Sequence, residues 1–114
     1  MTRQILFHGD YFTDFYKELD IKVKLKIKYV LELIKQVDRV PGKFLSPMKG
    51  YEGLYEIRID YNSNIYRVFC CFDEGKLVVL FNGFQKKTQK TPLNEIEKAM
   101  RIKKEYFESK KLKT

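Results

Sequence analysis

Five basic side chains stand in or just after three alternating apolar segments: Arg58, Arg67, Lys86, Lys87 and Lys90. On one face of a sheet they can converge on a single anion, because neighbouring antiparallel strands lie only about 5 Å apart. Arginine offers a planar fork of donors that matches two phosphate oxygens at once. Arg58 and Arg67 stand nine residues apart across a turn near residues 61–64, so pairing can set them on adjacent strands; the register stays open. If both face outward they make a phosphate clamp. The alternative is surface ion pairing, Arg58 with Glu56 or Asp60 and Arg67 with Asp60 or Glu74.

Other chemistries lack side chains. The chain holds one His, His8, which reads as structural or merely exposed, so a His-dependent triad has no other candidate. Its two cysteines, Cys70 and Cys71, adjoin in an apolar run; on a strand they point to opposite faces and form no disulfide framework. Both are expected as small buried hydrophobes. Ligands for a transition metal are too few, and neither metal nor cofactor is expected. Any chemistry must run mainly on Lys, Arg, Tyr and carboxylates.

The charge is uneven. Lys and Arg number 23 against 15 Asp and Glu, net +8. Residues 1–84 carry 13 basic and 11 acidic side chains, residues 85–114 carry 10 and 4. A basic patch of this density meets polyanions through phosphate contacts and counterion release. Lys110, Lys111 and Lys113 read as a solvated tail, and the lysines from Lys22 to Lys28 as a solvated helix face.

The positioning elements follow from periodicity. A chain of 114 residues, 44% hydrophobic and 15% aromatic, is expected to fold as one domain over residues 1–114. Its longest apolar runs, Val68 to Phe72 and Leu77 to Phe81, fall far short of the roughly 20 residues that span a bilayer. The N-terminal apolar stretch is too short for a signal peptide, so the expected location is the cytoplasm and no membrane partner is expected. Arg3 to His8 reads as a first strand. Asp10 can cap a helix carrying Phe12, Phe15, Tyr16 and Leu19; Asp20 caps a second helix to about Val37, or marks a kink before it. The two are expected as a hairpin or one bent helix. Pro41, Gly42, Pro47, Gly50 and Gly53 make residues 38–53 an irregular connection. Tyr55, Ile57, Ile59 and Tyr61 alternate with Glu56, Arg58 and Asp60, which predicts a strand with Glu56 and Arg58 on its more exposed face. Strands over 65–72 and 76–84 complete an antiparallel meander. Thr91-Pro92 starts a last helix with Leu93, Ile96, Ala99, Met100 and Tyr106 or Phe107 on its apolar stripe, fraying from Ser109 to Thr114. The predicted class is α+β, in the order β-α-α-β-β-β-α.

Four segments in order carry a resemblance. Gly53-Leu54-Tyr55-Glu56-Ile57-Arg58-Ile59, Ile65-Tyr66-Arg67-Val68-Phe69, Leu80-Phe81-Asn82-Gly83-Phe84-Gln85-Lys86-Lys87-Thr88, and Thr91-Pro92 with Glu95-Ile96 resemble the RelE/ParE toxin superfamily. The likeness is nearest to its HigB-like, phage-derived branch. It implies a small antiparallel sheet packed on an N-terminal helical hairpin with a C-terminal helix. It also implies a bacterial type II toxin that cleaves mRNA on the ribosome, and a partner antitoxin, often a helix-turn-helix DNA-binding protein. Carried over by position, the family's basic sheet residues fall on Arg58 and Arg67, and the basic position after the last meander strand on Lys86 or Lys87. The sequence departs from relatives at Glu56, where some carry lysine, and near Leu93, where some carry a catalytic tyrosine.

Such a site would promote attack of an RNA 2′-hydroxyl on the adjacent phosphate. Arg67, with Arg58 second, would stabilise the phosphorane charge, and Lys86 or Lys87 would protonate the leaving oxygen. Phe84 and Tyr55 are candidates to stack on a base, and Lys90 to hold a phosphate. Alignment of the message by the ribosome would supply much of the rate, with little activity on free RNA. Two other readings compete: a ParE-like inhibitor that binds DNA gyrase without catalysis, and a basic RNA- or protein-binding module.

Overall fold

A computed structural model gives the fold, and it describes residues 2–112. The element order is β1 (Gln4–Phe7), α1 (Tyr11–Lys17), α2 (Ile21–Gln36), β2 (Leu45–Pro47), β3 (Tyr55–Tyr61), β4 (Asn64–Asp73), β5 (Leu77–Lys86) and α3 (Leu93–Leu112). The strands form one open five-stranded sheet in the order β1-β5-β4-β3-β2.

The class is the expected α+β, and the meander β3-β4-β5 is antiparallel. Two features correct the expected architecture, and a third adds to it. β1 runs parallel to β5, so the sheet is mixed. The stretch expected to be irregular contributes β2, which pairs with β3. The helices also divide between the two faces, because β4 and β5 are apolar on both sides and each side needs a cover. On one face Ile57, Ile59, Tyr66, Val68, Cys70, Val78 and Leu80 pack with Phe12 of α1 and with Val23, Ile27, Val30 and Ile34 of α2. On the other, Phe69, Cys71, Val79 and Phe81 pack with Ile96, Ala99, Ile102 and Tyr106 of α3. Cys70 and Cys71 thus face opposite ways, as expected. Burial pushes both thiols up, Cys71 to about 11, which makes them inert packing groups.

Local chemistry sets the helix ends. Asp20 accepts from the Lys22 amide and caps α2, whereas Asp10 stands at the N-cap of α1 without a side-chain bond. At the other end of α2, Arg3 donates to the carbonyl of Ile34 in the last turn, which the helix leaves unpaired, and to those of Val37 and Asp38 just beyond it. The Pro92 carbonyl accepts from Ile96 where α3 begins.

The fraying expected from Ser109 is not seen: α3 continues to Leu112, and Lys113 and Thr114 lie outside the described residues. Lys110 binds Asp73 at 2.6 Å, and the Tyr106 hydroxyl donates to the same carboxylate at 2.7 Å. The Lys110 and Tyr106 hydrogen bonds hold Asp73 below the usual carboxylate range. Burial, with the bond to Asp73, pushes the Tyr106 phenol up to about 12. A phenol kept neutral by the fold stabilises it fully below pH 10, where the unfolded phenol also keeps its proton. That stability is lost as pH rises from 10 to about 12. Asp73 acts in the opposite sense, contributing above its unfolded value of 3.8 and losing the contribution as pH falls through the lowered folded value. Unfolding of wild type and Tyr106→Phe across pH 8–12 tests this: the wild type is expected to lose the larger share of its stability above pH 10.

Candidate active site

The turn between β3 and β4 decides the site. Tyr61 pairs with Asn64, and the two residues between them, Asn62 and Ser63, adopt φ of 49° and 65°. Positive φ at both central positions is the tight hairpin geometry that matches strand twist. It sets the register so that Arg58 lies directly opposite Arg67. Directly paired side chains have Cβ atoms about 4.5–5.5 Å apart on one face, so the two guanidiniums belong to one site.

A bulge on β5 then recruits a third cation. Val68 pairs with Gly83 but Cys70 pairs with Leu80, so one residue of β4 spans two of β5. Simple alternation from Val79 and Phe81 would carry Gly83 and Gln85 to the face of Arg67. The extra residue reverses the phase, placing Phe84 opposite Arg67 and Lys86 opposite Ile65, two positions from Arg67 on the same face. Asn82, at the bulge, ties it to α3 by donating to the Glu95 carbonyl at 3.2 Å and its carboxylate at 3.1 Å.

The arginines differ in setting. Arg67 is 2% exposed. Its Nη1 donates to the Tyr66 carbonyl at 3.0 Å and reaches Asp60 at 3.4 Å. Its Nε lies 3.0 Å from Glu56 Oε1, an ion-pair contact out of line for a hydrogen bond. The Arg58 side chain is 41% exposed and meets the same Oε1 through Nε at 3.6 Å, a contact that uses neither terminal nitrogen. The ion pairs are the contacts seen: Glu56 is shared by the two arginines, Asp60 serves Arg67, and Glu74 binds Lys110 instead, while Arg67, being buried, does not face outward as a clamp would require.

Of the other expected residues, Lys86 and Lys87 line an open cleft of about 490 Å³ with Ser63, Asn64, Ile65, Gln85, Thr88 and Gln89. Lys90 is exposed beyond it, its carbonyl accepting from Thr88 Oγ1. Two placements depart from expectation. Tyr55 shares the opposite face with Ile57, its ring edge-on to Phe72 at 4.9 Å, because period-two alternation separates it from Arg58. Phe84 is on the right face but 8% exposed, its ring 5.6 Å from Phe69 in the core under α3, so it offers no open platform for a base. Tyr66 also faces away from Arg67, as alternation requires. His8 joins no arginine: its Nε2 meets Glu105 at 2.8 Å and its ring sits edge-on to Tyr106. The sequence reading missed Glu56 as a partner shared by both arginines; its position two residues before Arg58 was the available signal. Among the described residues no cluster of three or more His, Cys, Asp or Glu is placed to hold a metal.

This architecture has known counterparts. Residues 14–104 match the family described as Phage derived protein Gp49-like (DUF891). No curated protein sequence matches the chain. Among solved structures, a chain of the RelB-RelE antitoxin-toxin complex from Methanococcus jannaschii superposes with a TM-score of 0.56 at 16% identity, over 76% of this chain and 99% of that one. At that identity the likeness establishes fold alone, and the fold it shares is that of RelE. With most of its length matched, the chain belongs to the phage-derived Gp49-like family of RelE/HigB-type toxins.

Proposed function

We propose that this protein is the toxin of a type II toxin–antitoxin pair and acts as a ribosome-dependent mRNA endoribonuclease. The observation that carries the reading is the direct pairing of Arg58 with Arg67 on a sheet face where Lys86 also points. Three cations so placed match a phosphodiester. Arg67 and Arg58 stabilise the charge that develops on the phosphorane as the 2′-oxygen attacks. Lys86, or Lys87 at the cleft rim, gives a proton to the departing 5′-oxygen, leaving a 2′,3′-cyclic phosphate. Alignment of the message by the ribosome supplies much of the rate. The inhibiting partner is an antitoxin, as RelB is for RelE in the matched complex; a helix-turn-helix DNA-binding protein suits this role.

The test is a 5′-end map of a defined message translated with purified ribosomes. Discrete cuts that require ribosomes are expected. Arg58→Ala removes one charge-assisted contact of about 1.5–3 kcal/mol, so cutting is expected to slow about 10- to 100-fold with the fold intact. An intact message from a folded protein that still arrests growth would instead identify a gyrase inhibitor, which a supercoiling assay would register.

A further inference from the structure

We infer that Asn82 is a positioning residue for the cleavage: its amide clasps the two feet of the loop that carries the lysines, and so holds Lys86 and Lys87 toward the arginine pair. The assignment rests on the nuclease reading above. The bulge makes the clasp available. Phe69 of β4 stands opposite both Phe81 and Asn82 of β5, since its neighbours Val68 and Cys70 pair with Gly83 and Leu80. A bulge of this kind re-aims a side chain that simple alternation would send to the other face. Phe81 and Asn82 accordingly both reach the α3 side, Phe81 into its core and Asn82 to Glu95 in the first turn of the helix.

Both acceptors belong to that one residue. The Asn82 amide nitrogen donates to the Glu95 carbonyl at 3.2 Å and to its carboxylate at 3.1 Å, holding backbone and side chain together. Between the clasped residues run the end of β5 with Lys86, then Lys87, Thr88, Gln89 and Lys90, before α3 begins at Leu93. Four of these, Lys86 to Gln89, line the cleft beside the turn of β3 and β4. The amide is a poor way to fill this place for stability alone. Asn82 is 2% exposed, and its Oδ1 is buried with no partner. Leucine has the same branching and would leave no acceptor unpaired, so the amide is explained by what it holds in place.

The test is cleavage of a defined message on purified ribosomes by wild type, Asn82→Leu and Glu95→Ala, with kcat and KM for programmed ribosomes separated. Thermal unfolding and backbone ¹⁵N relaxation of the free protein are measured beside it. Asn82→Leu is expected to lower kcat about 10- to 100-fold with KM within about threefold, the signature of misplaced groups. Order parameters over residues 87–91 are expected to fall below about 0.6 while those of Arg58 and Arg67 stay near 0.85. Glu95→Ala removes one of the two acceptors without touching β5, and is expected to shift kcat and loop order the same way by less; it carries the test if Asn82→Leu does not fold. A folded Asn82→Leu with wild-type kcat overturns the assignment, as does one whose loss lies in KM alone. A slow variant whose loop keeps its order also overturns it, because the amide would then act elsewhere. A wild type that cuts nothing overturns the nuclease reading and the positioning role with it; loop order that still falls in Asn82→Leu would show that the clasp exists without that use.

Discussion

Arg67→Ala is expected to lower ribosome-programmed cleavage by about 100- to 1,000-fold, the size of effect seen when one donor aimed at a developing anion is removed. The position explains the magnitude. Arg67 is buried, its backbone is fixed by pairing on both sides within β4, and its Nη1 is anchored to the Tyr66 carbonyl. A donor so held needs little reorganisation as charge builds up on a phosphate. Arg67→Lys keeps the charge but not the planar fork, and is expected to recover only a small part of the rate. The substitution also bears on stability, since Glu56 then keeps a single cationic neighbour. Loss of a buried charge partner costs about 1–3 kcal/mol, so thermal unfolding is measured beside the 5′-end map. A folded Arg67→Ala protein that cuts at the wild-type rate would remove Arg67 from the mechanism.

Gly83→Val is expected to be the most damaging substitution in the sheet. Gly83 pairs with Val68 next to the bulge, facing the side of α1. A Cβ there would meet the Phe15 ring, with Cε2 at 2.6 Å and Cγ at 2.8 Å, nearer than real Cβ contacts come. Phe15 packs against the core beside Phe12 and cannot simply swing out into water. Overpacking of this kind costs about 1–3 kcal/mol for small additions, and the two methyl groups of valine add to it. Gly83→Ala should fall within that range and lower the melting temperature by several degrees. The strain also reaches the site, because Phe84 and Lys86 take their side from the bulge just before Gly83. Reduced cleavage is therefore expected from a residue that touches no substrate. Gly83→Ala melting with the wild type would show that Phe15 yields more easily than its packing implies.

Much of this was legible in the chain. Alternation from Tyr55 to Tyr61 determined that Glu56, Arg58 and Asp60 share one face and that Tyr55 does not, since a strand has a strict period of two. The spacing of Val23, Ile27, Val30 and Ile34 determined the buried face of α2, and the adjacent cysteines had to part. The resemblance fixed the family before any packing was seen.

Tertiary structure decided the rest, for three physical reasons. Register depends on turn geometry: only the two-residue Asn62-Ser63 turn makes Arg58 and Arg67 opposite neighbours. Phase depends on the bulge, which no local pattern around Asn82 and Gly83 announces, and which alone puts Lys86 beside the arginines rather than behind them. Cover depends on long-range packing. β1 reads as a strand in isolation, but its parallel place beside β5 and the docking of α3 on the far face are settled by which apolar surfaces remain open. The same docking buries Phe84 and leaves the Arg58 side chain partly exposed.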